Sequence, residues 1–475
     1  MFRHRSLRLR RSLRVSAATL CLATGASATA ATVSLVGAAP AGASAKLPSC
    51  NLKALSSHKG VVDITFWNSM VQANGQTLAS ITNAFNSSQS KVHVTLVNQA
   101  SYDDTWNKYT AGLSNGQLPD AVQLEDVRTQ EAIDTNSFLP VQSCINAAHY
   151  STSDYLARPL DYWKVNGVQW ALPFAVSVPI VYYNQLSFTK AGLNPNTPPA
   201  TLLQMVEDAK ALKASGTGMG LVLDPWHLET WLATANQPFV NNNNGRSGRA
   251  TKGVFDTKTA QQIFTDLDLL VKSGDAVTNP SSGPSEFDNL LGIGTGKCGM
   301  TIDSSADLGT VEQLLGKGQY PNVKLGVGPF PALSSSIKGG VEPGGSAVYI
   351  SSKVPALDQA AAWDYLTYLS TTQSMATWAA GTGYIPLRKS SINTSTIQKL
   401  WSTQPAFKVA YEEMVNGANT TATSGSVIGP YDDVRTDVLN AEIAMYTTSI
   451  SPAKTLANAL SQVNATISGY NSRLG

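Results

Sequence analysis

The sequence predicts an α/β protein of two lobes, each discontinuous in the chain, with a helical C-terminal part. Three observations carry this. Residues 61–124 read strand–helix–strand–helix–strand, the pattern of a mainly parallel sheet. Residues 162–183 change to a hairpin signal and a long apolar run, which reads as a crossover between lobes. Beyond residue 355 almost every periodic stretch is helical.

The chain opens on a basic run, Arg3, Arg5, Arg8, Arg10, Arg11 and Arg14, followed by an Ala/Leu/Thr/Val-rich stretch and Ala43-Ser44-Ala45. Residues 1–45 therefore read as a signal peptide with a small-residue cleavage site. Ser, Thr and Gly interrupt the apolar stretch, which argues against a membrane anchor. Arg10-Arg11 leaves a twin-arginine route open beside the general one. Without the six leader arginines, 28 Lys and Arg stand against 32 Asp and Glu, so the remaining chain is mildly acidic. That balance carries no electrostatic footprint for nucleic acid.

Residues 46–60 form a lead-in. Val61 to Trp67, Val92 to Val97 and Ala121 to Leu124 read as strands, and Asn74 to Asn86 and Tyr102 to Leu113 as helices between them. Leu78, Ile81, Thr82 and Phe85 fall on one face of the first helix. Val165-Asn166-Gly167-Val168 is a hairpin signal. Helices are expected at 202–215, 226–235, 258–272, 287–296 and 308–315, and strands at 218–223, 298–302 and 347–351. Six more helices follow, ending at Tyr470. The expected division is 61–168 with 306–365 as one lobe and 169–305 with 366–475 as the other.

Four cysteines are present. Cys21 lies in the leader. Cys50 and Cys144 can form a disulfide in an exported protein, while Leu47-Pro48-Ser49-Cys50 also loosely matches a lipid-attachment site. Cys298 sits in an apolar run and reads as a buried free thiol. His-Glu-x-x-His, Cys-x-x-Cys and Gly-x-Ser-x-Gly are absent, so neither a metal site, a cofactor nor a serine-hydrolase elbow is expected. Gly292 to Cys298 echoes a phosphate loop without its spacing, and reads as a helix end before a strand. Asp103-Asp104 and Asp432-Asp433 read as caps or solvated turns. No acid/base pair suggests turnover, so the chain reads as a binder, not an enzyme.

Thr382-Gly383-Tyr384-Ile385-Pro386 closes a helical run, and Gly381, Gly383 and Pro386 hold Tyr384 between a helix end and a stiff turn. Together with Phe66-Trp-Asn-Ser-Met70, Tyr182-Tyr-Asn184, Phe188-Thr-Lys-Ala-Gly192, Pro198-Pro199 and Lys297-Cys-Gly-Met300, this resembles family 1 extracellular solute-binding proteins of ABC importers over residues 60–475. The resemblance implies a type II periplasmic-binding-protein-like fold, an exported monomer with lipid anchoring at Cys50 as the alternative to the disulfide, and a membrane permease as partner. Its nearest branch binds glycerol-3-phosphate and glycerophosphocholine. That branch implies ligand contacts from Tyr102, Asp126, Ser177, Ser304, Gly345, Tyr384 and Arg435, with an aromatic wall from Trp226 or Trp231. Arg435 would supply a planar fork to phosphate, the Gly345 N–H a close donor, and Asp126 an acceptor for glycerol hydroxyls. A Trp face would hold a quaternary ammonium. An oligosaccharide is the alternative ligand, since nine tryptophans suit sugar stacking. A secreted hydrolase is disfavoured.

Overall fold

The computed structural model describes residues 47–281, 287–315, 320–336 and 338–474. The expected signal peptide, with Cys21, lies outside the described residues.

The chain enters through a short helix, Lys53–Ser57, into β1 (Val62–Asn68), which alternates Val62, Ile64 and Phe66 inward. The helix Gln72–Ser88 buries Leu78, Ile81, Thr82 and Phe85, the face its periodicity predicts. β2 (Val92–Asn98) runs parallel to β1 in full register. The helix Tyr102–Asn115 starts at Ser101, whose side chain accepts from the Asp104 N–H, and stops at left-handed Gly116. β3 (Ala121–Glu125) is parallel to β1. β4 (Phe138–Leu139) leads to the helix Val141–Ala148, which carries Cys144. Cys144 is bonded to Cys50. The sulfur of Cys50 is thereby engaged, which goes against the lipid-attachment alternative at this residue.

β5 (Lys164–Val165) and β6 (Val168–Gln169) are the expected hairpin. Asn166 and Gly167 both take positive φ, as its two-residue turn requires. β7 (Leu172–Ser177) and β8 (Pro179–Asn184) are wholly buried and separated only by Val178. β9 (Met219–Leu223), β10 (Ala276–Pro280), β11 (Met300–Ser304), β12 (Leu325–Gly328) and β13 (Gly344–Ser351) complete the strands used here.

Two open sheets result. The first has the order β2-β1-β3-β13-β4, with β7 antiparallel on β13; the second has the order β10-β9-β11-β8-β12. Each combines a parallel stretch with antiparallel strands. The chain changes sheet at Val178, about ten residues later than expected, because β7 pairs with the first sheet and β8 with the second. β12 also departs from expectation. It lies within 306–365 yet pairs with β8 in the second sheet. The helix Thr372–Gly381, expected with the second lobe, packs on the helix Gln72–Ser88 beside the first sheet. A strand buried on both faces is apolar throughout, so its composition does not say which sheet it joins.

The C-terminal part is helical, as expected. Helices Tyr431–Thr447 and Pro452–Ser472 pack on each other and on Lys258–Lys272. No described helix is long and apolar enough to cross a membrane. Cys298 is buried and free, and Gly296 ends its helix in the left-handed conformation ahead of β11, so the phosphate-loop echo is a helix end and turn.

Candidate solute-binding site

A cavity of about 530 Å³ lies at the C-terminal ends of β3 and β11. Tyr102, Asp126, Ser177, Trp226, Ser304, Gly345, Tyr384 and Arg435 all line it. Trp231 does not. It is 1% exposed, its indole N–H donates to the Pro331 carbonyl at 2.8 Å, and its ring packs on His227 and Phe330. Trp231 is a core residue, and of the two tryptophans only Trp226 lines the cavity.

Each element places its residue by local chemistry. Tyr102 begins the Ser101-capped helix and donates to Ser346 Oγ at 3.3 Å. Tyr384 follows the helix end, where its N–H donates to Thr382 Oγ1 at 3.1 Å, and its ring stacks on Trp378. Ser177 ends β7 and Ser304 ends β11. Their hydroxyls meet at 3.0 Å, with Ser304 donating. Trp226 sits in the first turn of the helix Pro225–Thr234, where Asp224 Oδ1 accepts its N–H at 2.9 Å. Its indole packs against Gly344, where a Cβ would come within 2.6 Å of the ring. Gly345 has φ +116°, and a Cβ there would stand 2.1 Å from the Ala175 carbonyl oxygen, so glycine alone fits.

Two roles differ from expectation. Arg435, on the helix Tyr431–Thr447, already holds Glu229 with two parallel bonds: Nε to Oε1 at 3.1 Å and Nη2 to Oε2 at 2.7 Å. The Glu229 side chain is fully buried, so Arg435 offers the cavity only the remaining donors on its guanidinium. The Gly345 N–H donates to Asp126 Oδ2 at 3.2 Å and is not a free donor for a ligand. Burial works against the charge on Arg435, but Glu229, Tyr431 and Asp126 around it outweigh burial and raise its pKa further.

The cavity also holds acids that sequence reasoning did not select. Glu125, Asp224, Asp303 and Asp307 line it, as do Asp103 and Asp432. The last two are not simple caps. Arg128 bridges them, pairing with Asp103 at 2.9 Å, with Asp432, and with Glu131 at 2.8 Å. Glu125 is pushed up to about 8 by burial first and by Asp126 next; Asp126 is pushed up to about 7, chiefly by burial. Burial also raises Glu413 and Glu442 to about 8. A carboxyl whose folded pKa is raised contributes its stability below the unfolded pKa and loses it as pH rises through the folded one. The ligand-free protein is therefore expected to melt at progressively lower temperature between pH 4.5 and about 8. A calorimetric melting temperature that climbs across that window would contradict the burial assigned to these carboxyls.

Residues 80–409 match the family model for the bacterial extracellular solute-binding protein. This chain belongs to that family. Among relatives of the solute-binding protein is the sn-glycerol-3-phosphate-binding periplasmic protein UgpB of Yersinia pestis, 26% identical over 412 residues, covering 84% of this chain and 91% of the relative. Among solved structures, UgpB of Mycobacterium tuberculosis in complex with glycerophosphocholine superposes with a TM-score of 0.70 at 17% identity, covering 88% of this chain and all of that one. The cyclic α-maltosyl-1,6-maltose-binding protein of Arthrobacter globiformis superposes with a TM-score of 0.69 at 19% identity, covering 86% and 100%. The two-lobe fold is thus shared by proteins whose solutes differ in chemistry. In the solute-binding protein the cavity occupies the strand ends where open α/β sheets take ligands.

Proposed function

We propose that the protein is the extracytoplasmic substrate-binding component of an ABC importer and captures a glycerophosphodiester such as glycerophosphocholine, or glycerol-3-phosphate, for a membrane permease. The observation that carries this reading is the convergence of Arg435, Ser177, Ser304, Tyr102, Tyr384, Asp126 and Trp226 on one cavity from both sheets. Arginine and hydroxyl donors suit a phosphodiester, Asp126 suits glycerol hydroxyls, and the Trp226 face suits a quaternary ammonium. Relatives named for glycerol-3-phosphate add to that support.

An oligosaccharide is the second reading. It is favoured by the number of carboxylates in the cavity, since carboxylates are strong acceptors for sugar hydroxyls, and by the stacking surface of Trp226. A thermal-shift screen of the mature protein against glycerophosphocholine, glycerol-3-phosphate, maltose, trehalose and inorganic phosphate separates the two. A ligand at about a hundredfold over its Kd adds about 2.7 kcal/mol of stability, which reads as a raised melting temperature. The expected result is a shift with glycerophosphocholine and recovery of that ligand intact by NMR. A shift with a disaccharide alone would overturn the phosphodiester reading.

A further inference from the structure

The charge of the cavity says more about the solute than its hydrogen-bond donors do. This inference rests on the cavity being the solute site. Seven Asp and Glu side chains line it against one described cation, Arg435. Arg435 is already neutralised by Glu229. Asp103 and Asp432 are held by Arg128, Asp224 caps the Trp226 helix, and Asp303 Oδ2 accepts from Asn289 at 2.8 Å. Glu125 is different. It ends β3 inside the cavity, and no hydrogen bond or ion pair engages its carboxylate among the described residues. Its chain neighbour Asp126 is 2% exposed and leaves Oδ1 without a partner while Oδ2 holds the Gly345 N–H. Glu125 is half-buried and Asp126 buried, and carboxylates withdrawn from water and left unpaired are costly unless a positive charge or a proton meets them.

We infer that Glu125 is the counter-ion for a cationic group of the solute, so that the cavity takes a ligand bearing an amine or quaternary ammonium in preference to a dianionic phosphate monoester. Where a bound solute displaces water from the cavity, the attraction between opposite charges is several times stronger than in water, and the repulsion of a phosphate dianion by the same acids grows equally. Trp226 supplies the apolar, electron-rich face that a quaternary ammonium needs. The same arrangement couples binding to protons. Burial and Asp126 push Glu125 up to about 8, with Asp103 adding repulsion and Arg435 and Arg128 opposing it. A bound cation stabilises the ionised form, so its capture expels a proton and tightens as pH rises toward 8.

The test is isothermal titration of the mature protein with glycerophosphocholine, its neutral 3,3-dimethylbutyl isostere, glycerol-3-phosphate and free choline, for wild type and Glu125→Gln. Wild type is expected to bind the choline ester about tenfold tighter than the isostere, with proton release at pH 7. Glu125→Gln is expected to reduce that preference to within about threefold, leaving the isostere unaffected. The isostere comparison needs no variant, so a poorly folding Glu125→Gln does not remove the test. Equal binding of both head groups by wild type, or a parallel loss of both in Glu125→Gln, overturns the inference and leaves the proposed function standing. Binding of choline with no glycerophosphodiester bound does the reverse. Absence of binding by every probe overturns both.

Discussion

Arg435→Ala is expected to lower affinity for glycerophosphocholine at least about 100-fold and to destabilise the protein by about 3–5 kcal/mol. The two effects have separate origins. Binding is lost because, among the described residues, Arg435 is the one cation that lines the cavity, and the guanidinium donors left over from Glu229 go with it. Stability is lost because Glu229, with a side chain that is fully buried, is left without its partner. The double variant Arg435→Ala/Glu229→Gln separates them. Removing the stranded charge should restore much of the melting temperature without restoring binding. Titration calorimetry and thermal unfolding on the three proteins read the two quantities independently. Unchanged affinity in Arg435→Ala would remove phosphate from consideration as the group this residue holds.

The Cys50–Cys144 bond has the second large effect. It closes a loop across a sequence separation of 94 residues that contains β1, β2 and β3. The chain-entropy account gives about 4–5 kcal/mol for a loop of that size. Cys50→Ser/Cys144→Ser is expected to melt well below wild type, and reductant is expected to bring wild type down to the same value. Neither cysteine lines the cavity, so solute affinity at a temperature where both proteins are folded should not change. A double variant that melts like wild type would mean that the entry segment is held by its packing alone.

Much of the fold was legible because its signals are local. The helix Lys258–Lys272 and the helix Leu308–Leu315 have the bounds their periodicity predicts. The Asn166-Gly167 turn specifies its own geometry. β10 and β12 were not legible. Ala276-Val-Thr-Asn-Pro280 and Leu325-Gly-Val-Gly328 carry turn-forming residues, and they are strands because β9 and β8 beside them supply the pairing. The two tryptophans of the helix Pro225–Thr234 show the same division. Five residues apart, they point about 140° away from each other around the axis, so one faces the cavity and the other the core. Periodicity requires that they differ, but only the packing of Phe330 and Pro331 decides which is inside.

The cavity acids do carry a signal in the sequence, though not one of motif spacing. Glu125 ends β3 and Asp126 follows it, Asp224 follows β9, and Asp303 lies at the end of β11. Carboxylates recurring at the C-terminal ends of strands in an open α/β sheet mark the ligand side. Read one at a time, each has the ordinary explanation of a helix cap or a turn.

Val178 and Ser305 give a last consequence. Ser305 N–H donates to the Val178 carbonyl at 2.9 Å, and its hydroxyl accepts from Val178 N–H at 3.4 Å, so two separate crossings between the sheets are tied together. Rotation of one sheet against the other is expected to turn about this tie as about an axle. Points on an axle travel least. Ser177 and Ser304 stand next to it in sequence and touch each other, while Tyr102 lies on a helix packed on β3 and β1 and Arg435 on a helix packed on Pro225–Thr234 and Lys258–Lys272. On that expectation the serine pair keeps its 3.0 Å spacing through the rotation and would give a bound solute a fixed datum. Recognition would then have a stationary anvil and a travelling jaw, and substitutions on the jaw would retune what is gripped without disturbing the pivot.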